Sequence, residues 1–265
     1  MKETSWDTLI AKAPFGLDRR ARRSEAQPNV HAASSRPVPF GRAGTPRGDY
    51  RGERRGELVG STEPVSPYLY SRRKRVFDIV VASLALMALA PILVMVASLV
   101  RATSRGPVLF RQPRGGQGGA PFRVCKFRSM SIDASAQGDV VQATRGDPRI
   151  TPVGQFIRRT SIDELPQLLN VIKGEMSLVG PRPHAVAHDR FFGERVPGYH
   201  RRFVARPGVS GLAQVRGARG ETPRIEDMQR RVELDLEYIR HASLSMDVKI
   251  LIATGREIFF SSSAY

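Results

Sequence analysis

The hydrophobic positions of this chain fall into blocks with different periods. From Val76 to Val100 nearly every residue is apolar, and Asp78 is the only charge. A run of that length is enough to cross a bilayer. A helix apolar all round belongs to a membrane or to the centre of a large core. Phe122 to Met130 alternates apolar and polar residues and predicts a strand. Thr151 to Arg159 and Leu165 to Ile172 read as short helices. Ile225 to His241 reads as a longer one, with Met228, Val232, Leu236 and Ile239 at helical spacing for core packing. Met246 to Phe260 is apolar with scattered charge. It fits either a helix in the membrane interface or a core helix. Residues 1–70 carry no apolar period, and Arg, Gly, Pro and Ser dominate from Ser34 to Gly60, the composition of a disordered tail. Trp6 to Ala13 reads either as a short helix that touches a membrane through Trp6, Leu9 and Ile10 or as unstructured chain. No stretch of the tail has the apolar length of a signal peptide, and no internal repeat is found.

The apolar run has basic residues on both sides, Arg72 to Arg75 before it and Arg101, Arg105, Arg111 and Arg114 after it. A spanning helix usually keeps its positive excess on one side. Pro91 sits inside the run, removes one backbone donor and disfavours helix at Ala90. A helix stopped there would be only about 22 Å long, against a hydrocarbon core of about 30 Å. These features favour a re-entrant helix broken near Pro91 over a kinked spanning one. Asp78 either pairs with Lys74 one turn earlier or sits solvated at headgroup level.

Composition narrows the function. The chain has 265 residues, 41% of them hydrophobic, and a formal net charge of +17. Such an excess predicts an anionic partner: nucleic acid, anionic lipid or a phosphorylated substrate. Aromatic residues are only 7% of the chain, few for stacking on bases. The single cysteine, Cys125, excludes an internal disulfide and a CxxC metal site.

The chemistry concentrates in Arg158-Arg159-Thr160-Ser161-Ile162-Asp163-Glu164-Leu165-Pro166-Gln167. Two adjacent carboxylates follow two arginines. Ser161 and Glu164 have capping-box spacing, with a helix start at Asp163 as the alternative. Either start puts the carboxylates at a helix N-terminus, where phosphate binds readily. Neighbouring helical side chains point about 100° apart, so one carboxylate can face phosphorus while the other binds Mg²⁺. Acidic first turns are common caps, and this stretch alone does not decide the matter. Lys126 and Arg128 fall on one face of the predicted strand, either as a phosphate clamp or as surface charges. Arg182 is held between Pro181 and Pro183, and its planar fork suits phosphate oxygens. Pro207, Gly208 and Gly211 mark a tight loop.

In order along the chain these blocks resemble the bacterial sugar transferase family, the monotopic phosphoglycosyl transferases. The resemblance is carried by Lys74-Arg75-Val76-Phe77-Asp78, Gly106-Pro107-Val108-Leu109-Phe110, Lys126-Phe127-Arg128-Ser129-Met130, Ser161 through Asn170, Gly174 through Pro183, Arg206 through Val215 and Asp235-Leu236-Glu237-Tyr238. It covers about residues 72–265. It implies a mainly helical α+β fold: a disordered basic tail (1–70), a re-entrant membrane helix (71–101) and a compact cytoplasmic catalytic domain with interfacial amphipathic helices (102–265). It also implies transfer of a sugar 1-phosphate from a UDP-sugar to undecaprenyl phosphate at the bacterial inner membrane, as the first membrane step of exopolysaccharide, capsule or O-antigen assembly. Asp163 would be the nucleophile and Glu164 the Mg²⁺ ligand. Lys126, Arg128, Arg158 and Arg182 would hold the diphosphate, and the loop from Pro207 and Gly208 to Gln214 would lie near the nucleotide. Asp78 and Pro91 would belong to the membrane segment. The chain departs from the family pattern at Ala90, where Ser is common, at Val209-Ser210 in place of Ile-Thr, and at Val215 through Arg219, which lacks Asn-Gly-Arg. A membrane-tethered nucleic-acid binder and an inert scaffold of polysaccharide assembly are the rival readings. No nucleic-acid partner is expected, and homo-oligomer formation is left open.

Overall fold

The computed structural model describes residues 64–131, 147–220, 222 and 224–260. The expectations placed on residues 1–63, including the short helix at Trp6, lie outside these. Residues 64–70, assigned above to the tail, belong to the folded body. Ser66 N donates to Ile239 O at 3.0 Å, and Leu69 is buried.

Helix α1 is Arg72–Thr103. The Ser71 hydroxyl accepts from Lys74 N and caps its start. Its 32 residues make it about 48 Å long. Helical geometry continues through Pro91, so the helix does not stop there. One missing donor is tolerated in a long apolar helix, so the 22 Å estimate does not hold. Helix α1 is long and apolar enough to cross a membrane, and only 11% of its most apolar stretch is buried. That separates it from the core helix of a soluble protein. Asp78 is fully buried and bonded to Lys74 at 3.3 Å, which removes the headgroup-level alternative.

After α1 the chain forms a hairpin, β1 (Leu109–Gly115) against β2 (Pro121–Phe127), with Leu109 opposite Phe127 and Arg114 opposite Phe122. The strand ends at Phe127 instead of Met130, and Met130 makes only an isolated bridge to Ile150. Helix α2 (Pro152–Arg159) is capped by Thr151. A 3-10 turn, Ile162–Glu164, leads to α3 (Gln167–Lys173). Then come β3 (Ser177–Val179), α4 (Val186–Gly193), a 3-10 turn at Tyr199–Val204, β4 (Gly208–Ser210) and α5 (Leu212–Val215). Two longer helices close the fold, α6 (Ile225–His241) and α7 (Leu244–Phe260). Strands β3 and β4 pair in parallel.

The main core joins Val124, Leu168, Met176, Leu178, Leu212, Tyr238 and Met246. Each fully buried apolar side chain of this kind contributes about 1.5–3 kcal/mol. Helix α7 packs in the core through Met246 and Ile250, as the core-helix reading expected, while Leu244, Val248 and Ile252 are exposed. Both ends of α1 pack on this one body. Near its start Ala82 enters the main core, and Arg75 donates to the carbonyls of Val171 and Ile172 at the end of α3. Near its end Val96 and Val100 meet Phe127 and Ile157.

Candidate active site

Asp163 and Glu164 lie on the single 3-10 turn between α2 and α3. The residue before it, Ser161, has φ 57° and ψ 15°, and among the described residues it alone is a non-glycine with positive φ. A capping side chain needs an extended backbone, so the Ser161–Glu164 capping box does not form. The Ser161 hydroxyl instead accepts from Arg219 Nη2 at 2.7 Å.

The two carboxylates differ sharply. Glu164 Oε1 accepts from Lys126 Nζ at 2.8 Å and from Arg182 Nη2 at 2.6 Å, and Oε2 accepts from Arg182 Nη1 at 3.1 Å. Burial alone would raise its pKa, but Arg182 and Lys126 more than reverse that and hold it well below the usual range. Among the described residues no hydrogen-bond donor reaches Asp163. Burial and the charge of Glu164 push its carboxyl up to about 6, against the pull of Lys126, Arg158 and Arg182.

Arg182 is carried by a backbone of close approaches. Gly180 N donates to Ser210 O, and Gly208 N donates to Pro181 O, each at 2.9 Å. A Cβ on Gly208 would fall 2.1 Å from Gly180 N, so β3 and β4 can meet here only through glycine. Behind the loop, Arg202 Nη2 donates to Arg182 O at 2.7 Å while its Nε is held by Asp235 at 2.8 Å. Both of these side chains are buried.

The donor set suits a hard divalent cation. Mg²⁺ is commonly held by one or two carboxylates, completed by water and phosphate oxygens. The adjacent Asp163 and Glu164 supply such oxygens. Among the described residues no group of three or more His, Cys, Asp or Glu side chains forms a cage made of protein alone.

The bacterial sugar transferase family matches residues 69–261. The chain belongs to that family. A Caulobacter vibrioides relative, a UDP-glucose:undecaprenyl-phosphate glucose-1-phosphate transferase, is 51% identical over 73% of this chain and 72% of its own length. An Escherichia coli relative of the same description is 50% identical over 72% of this chain, which spans only 41% of that longer protein. An Aeromonas hydrophila UDP-N-acetylgalactosamine-undecaprenyl-phosphate N-acetylgalactosaminephosphotransferase is 42% identical over 76% of this chain and 46% of its own length.

In this sugar transferase Lys126, Glu164 and Arg182 come together, and Arg158 is close enough for its charge to act on Asp163. Arg128 does not join them. It follows the end of β2, so the strand alternation no longer sets its direction. It is buried, with Nη2 on the carbonyls of Val100 and Ser104, where it caps the end of α1. Gln214 is buried and donates to Val209 O at 3.3 Å. Pro207 and Gly208 support the Arg182 loop through their backbones, Pro207 O accepting from Ser177 N. Asp78 and Pro91 lie in α1, and Asp78 Oδ1 also accepts from Leu178 N.

Sequence reasoning missed Arg114. Its pKa falls to about 10 through burial and the neighbouring Arg182, and it feels the charge of Glu164. It also missed Arg202, Asp235 and Arg219. One signal was available: Arg231 and Asp235 fall on the apolar face of α6 with Met228 and Ile239, an unusual place for charge unless it is paired.

Proposed function

We propose that this sugar transferase moves a sugar 1-phosphate from a UDP-sugar to undecaprenyl phosphate through a covalent phosphosugar on Asp163. The observation that carries the reading is the pair of unlike carboxylates. Glu164 is fixed and ionised by two cations, while Asp163 stands beside it with no donor among the described residues on its lone pairs. A carboxylate oxygen of Asp163 attacks the β-phosphorus. The bond from that phosphorus to the oxygen bridging the α-phosphate breaks, and UMP departs with that oxygen. A phosphate oxygen of the lipid then attacks the same phosphorus and Asp163 leaves as carboxylate. Splitting one transfer into two displacements is standard covalent catalysis. Lys126, Arg158 and Arg182 offset charge on the phosphoryl oxygens and on departing UMP. Mg²⁺ held by Glu164, with Asp163 beside it, would polarise phosphate oxygens.

Membrane placement follows from α1. A helix that left its far end on the opposite face could not pack both ends on one folded body, yet Lys74 and Val100 are both buried against it. This supports a re-entrant α1 that bends while staying helical through Pro91. The basic flanks at both ends support a body on the cytoplasmic side of the inner membrane. There a soluble UDP-sugar meets a lipid acceptor, at the start of exopolysaccharide, capsule or O-antigen assembly. The glucose-transferring relatives share more identity with the chain than the N-acetylgalactosamine one, so UDP-glucose is the first donor to test.

The test is UMP release. Purified protein in nanodiscs receives Mg²⁺, undecaprenyl phosphate and a panel of UDP-sugars, beside Asp163→Asn protein. Lipid-dependent UMP from UDP-glucose, lost in the variant, is expected. Undiminished release from the variant, or none from any donor in folded, inserted protein, overturns the proposal.

A further inference from the structure

Ser161 is held in a conformation that a residue with a Cβ rarely adopts. Such a conformation persists only where the surroundings over-determine it. The backbone ties here are local: Ser161 N donates to Arg158 O at 3.2 Å, and Glu164 N donates to Ser161 O at 3.1 Å. The long-range tie is Arg219, fifty-eight residues away in sequence, which donates to the Ser161 hydroxyl. Arg219 is itself gripped from behind. The buried Arg231 of α6 donates through Nε to Ala218 O at 2.8 Å and through Nη2 to Gly220 O. One guanidinium thus fixes the carbonyls on either side of Arg219, and its Nη1 reaches His184 Nε2 at 3.4 Å.

The catalytic turn is therefore held from two sides by one buried cluster. On one side Arg202 supports the backbone of Arg182, whose fork holds Glu164. On the other side Arg231 supports the loop of Arg219, which holds Ser161. His184 lies between them, with Nδ1 2.8 Å from Arg202 Nη1.

We propose that Arg219 is a positioning residue for the nucleophile: its bond to Ser161 locks the left-handed turn that presents Asp163, two residues on. The inference rests on the reading of Asp163 as nucleophile. It assigns work to the segment at residues 215–219 that departs from the family's Asn-Gly-Arg pattern. A nucleophile displaced by about 1 Å loses on the order of 100-fold in rate, and the effect belongs to kcat because no substrate contact is removed.

The experiment measures kcat and KM for UMP release by full-length Arg219→Ala, Arg219→Lys, Ser161→Ala and the Arg219→Ala/Ser161→Ala double variant in nanodiscs, with Asp163→Asn alongside. Expected are a kcat about 10–100-fold lower in Arg219→Ala, KM for the sugar donor within about twofold, and partial rescue by Lys. Ser161→Ala should match Arg219→Ala, and the double variant should be no worse than either, since both remove one bond. Ser161→Ala removes the hydroxyl alone and keeps the test open if an Arg219 variant fails to fold. Wild-type kcat in Ser161→Ala, or a raised KM in Arg219→Ala with additive losses in the double variant, overturns the positioning role. Full activity in Asp163→Asn would instead sink the nucleophile on which it rests.

Discussion

Two clusters in this molecule are built from the same parts and come out differently. At the start of α1, Lys74 Nζ meets Asp247 Oδ2 at 2.7 Å, Asp78 Oδ1 at 3.3 Å and Val179 O at 3.2 Å. Tyr68 and Tyr238 donate to Asp247 as well. These acids and their cation are almost fully withdrawn from solvent, and each carboxylate has a donor. On the turn between α2 and α3, two carboxylates again face cations, yet Lys126 and Arg182 both bond to Glu164 and, among the described residues, no donor reaches Asp163. The first arrangement clamps α1 to β3 and α7. The second leaves one acid half-buried and without a donor among the described residues. Unequal distribution of hydrogen bonds, more than the presence of charge, separates a reactive cluster from a structural one.

Breaking each cluster should give opposite signatures. Asp163→Asn removes the nucleophile while keeping the shape of the side chain, so lipid-dependent UMP release should fall by at least about 1000-fold with the fold intact by circular dichroism. Lys74→Met does the reverse. It strands Asp78 and Asp247 as buried acids without their cation, which should destabilise the protein by about 3–5 kcal/mol in denaturant unfolding in detergent. Turnover per correctly folded molecule should stay near wild type. A Lys74→Met protein as stable as wild type would mean that the two aspartates are satisfied without it.

The sequence carried the helices better than the site. Helix α6 was legible because Met228, Val232 and Ile239 mark its buried face, and α2 because Thr151 and Pro152 are a strong start. Strands β3 and β4 were invisible, since three residues each are too few for a period of two to show. The Ser161–Glu164 spacing pointed to a capping box, but Arg219 and the close packing of the turn override that local preference. Lys126 and Arg182 were placed with the acids because the hairpin and the proline-flanked loop fix them. Arg128 was misplaced because the strand ends one residue before it. Arg202 and Asp235 meet across thirty-three positions in sequence, and no local pattern encodes such a contact.

Asp163 must be ionised to attack, and its carboxyl sits at about 6. The rate kcat/KM at low donor concentration should be flat above pH 7 and fall about tenfold per unit once pH drops well below 6. Glu164 stays ionised across that range, so a single protonation should describe the limb. A limb displaced to pH 4 would mean that a donor reaches Asp163 in solution.

The smallest expected effect is on stability, and its sign is the informative part. The folded-state pKa of Asp163 lies above its ordinary value of 3.8. The neutral form is therefore favoured in the folded protein. The stability that this preference supplies is complete below pH 3.8 and is lost as pH rises through about 6. Asparagine never ionises and keeps the neutral form's advantage. Asp163→Asn protein should thus melt a few degrees higher than wild type at pH 7.5, roughly 2–6 °C. The gap should close between pH 6 and pH 4. A substitution at the Lys74 cluster should instead lower the melting temperature, because it breaks hydrogen bonds of a kind that Asp163 lacks among the described residues. If the asparagine variant melts lower than wild type at pH 7.5, Asp163 has a partner that stabilises its charge. The contrast between the two clusters would then fail at its central residue.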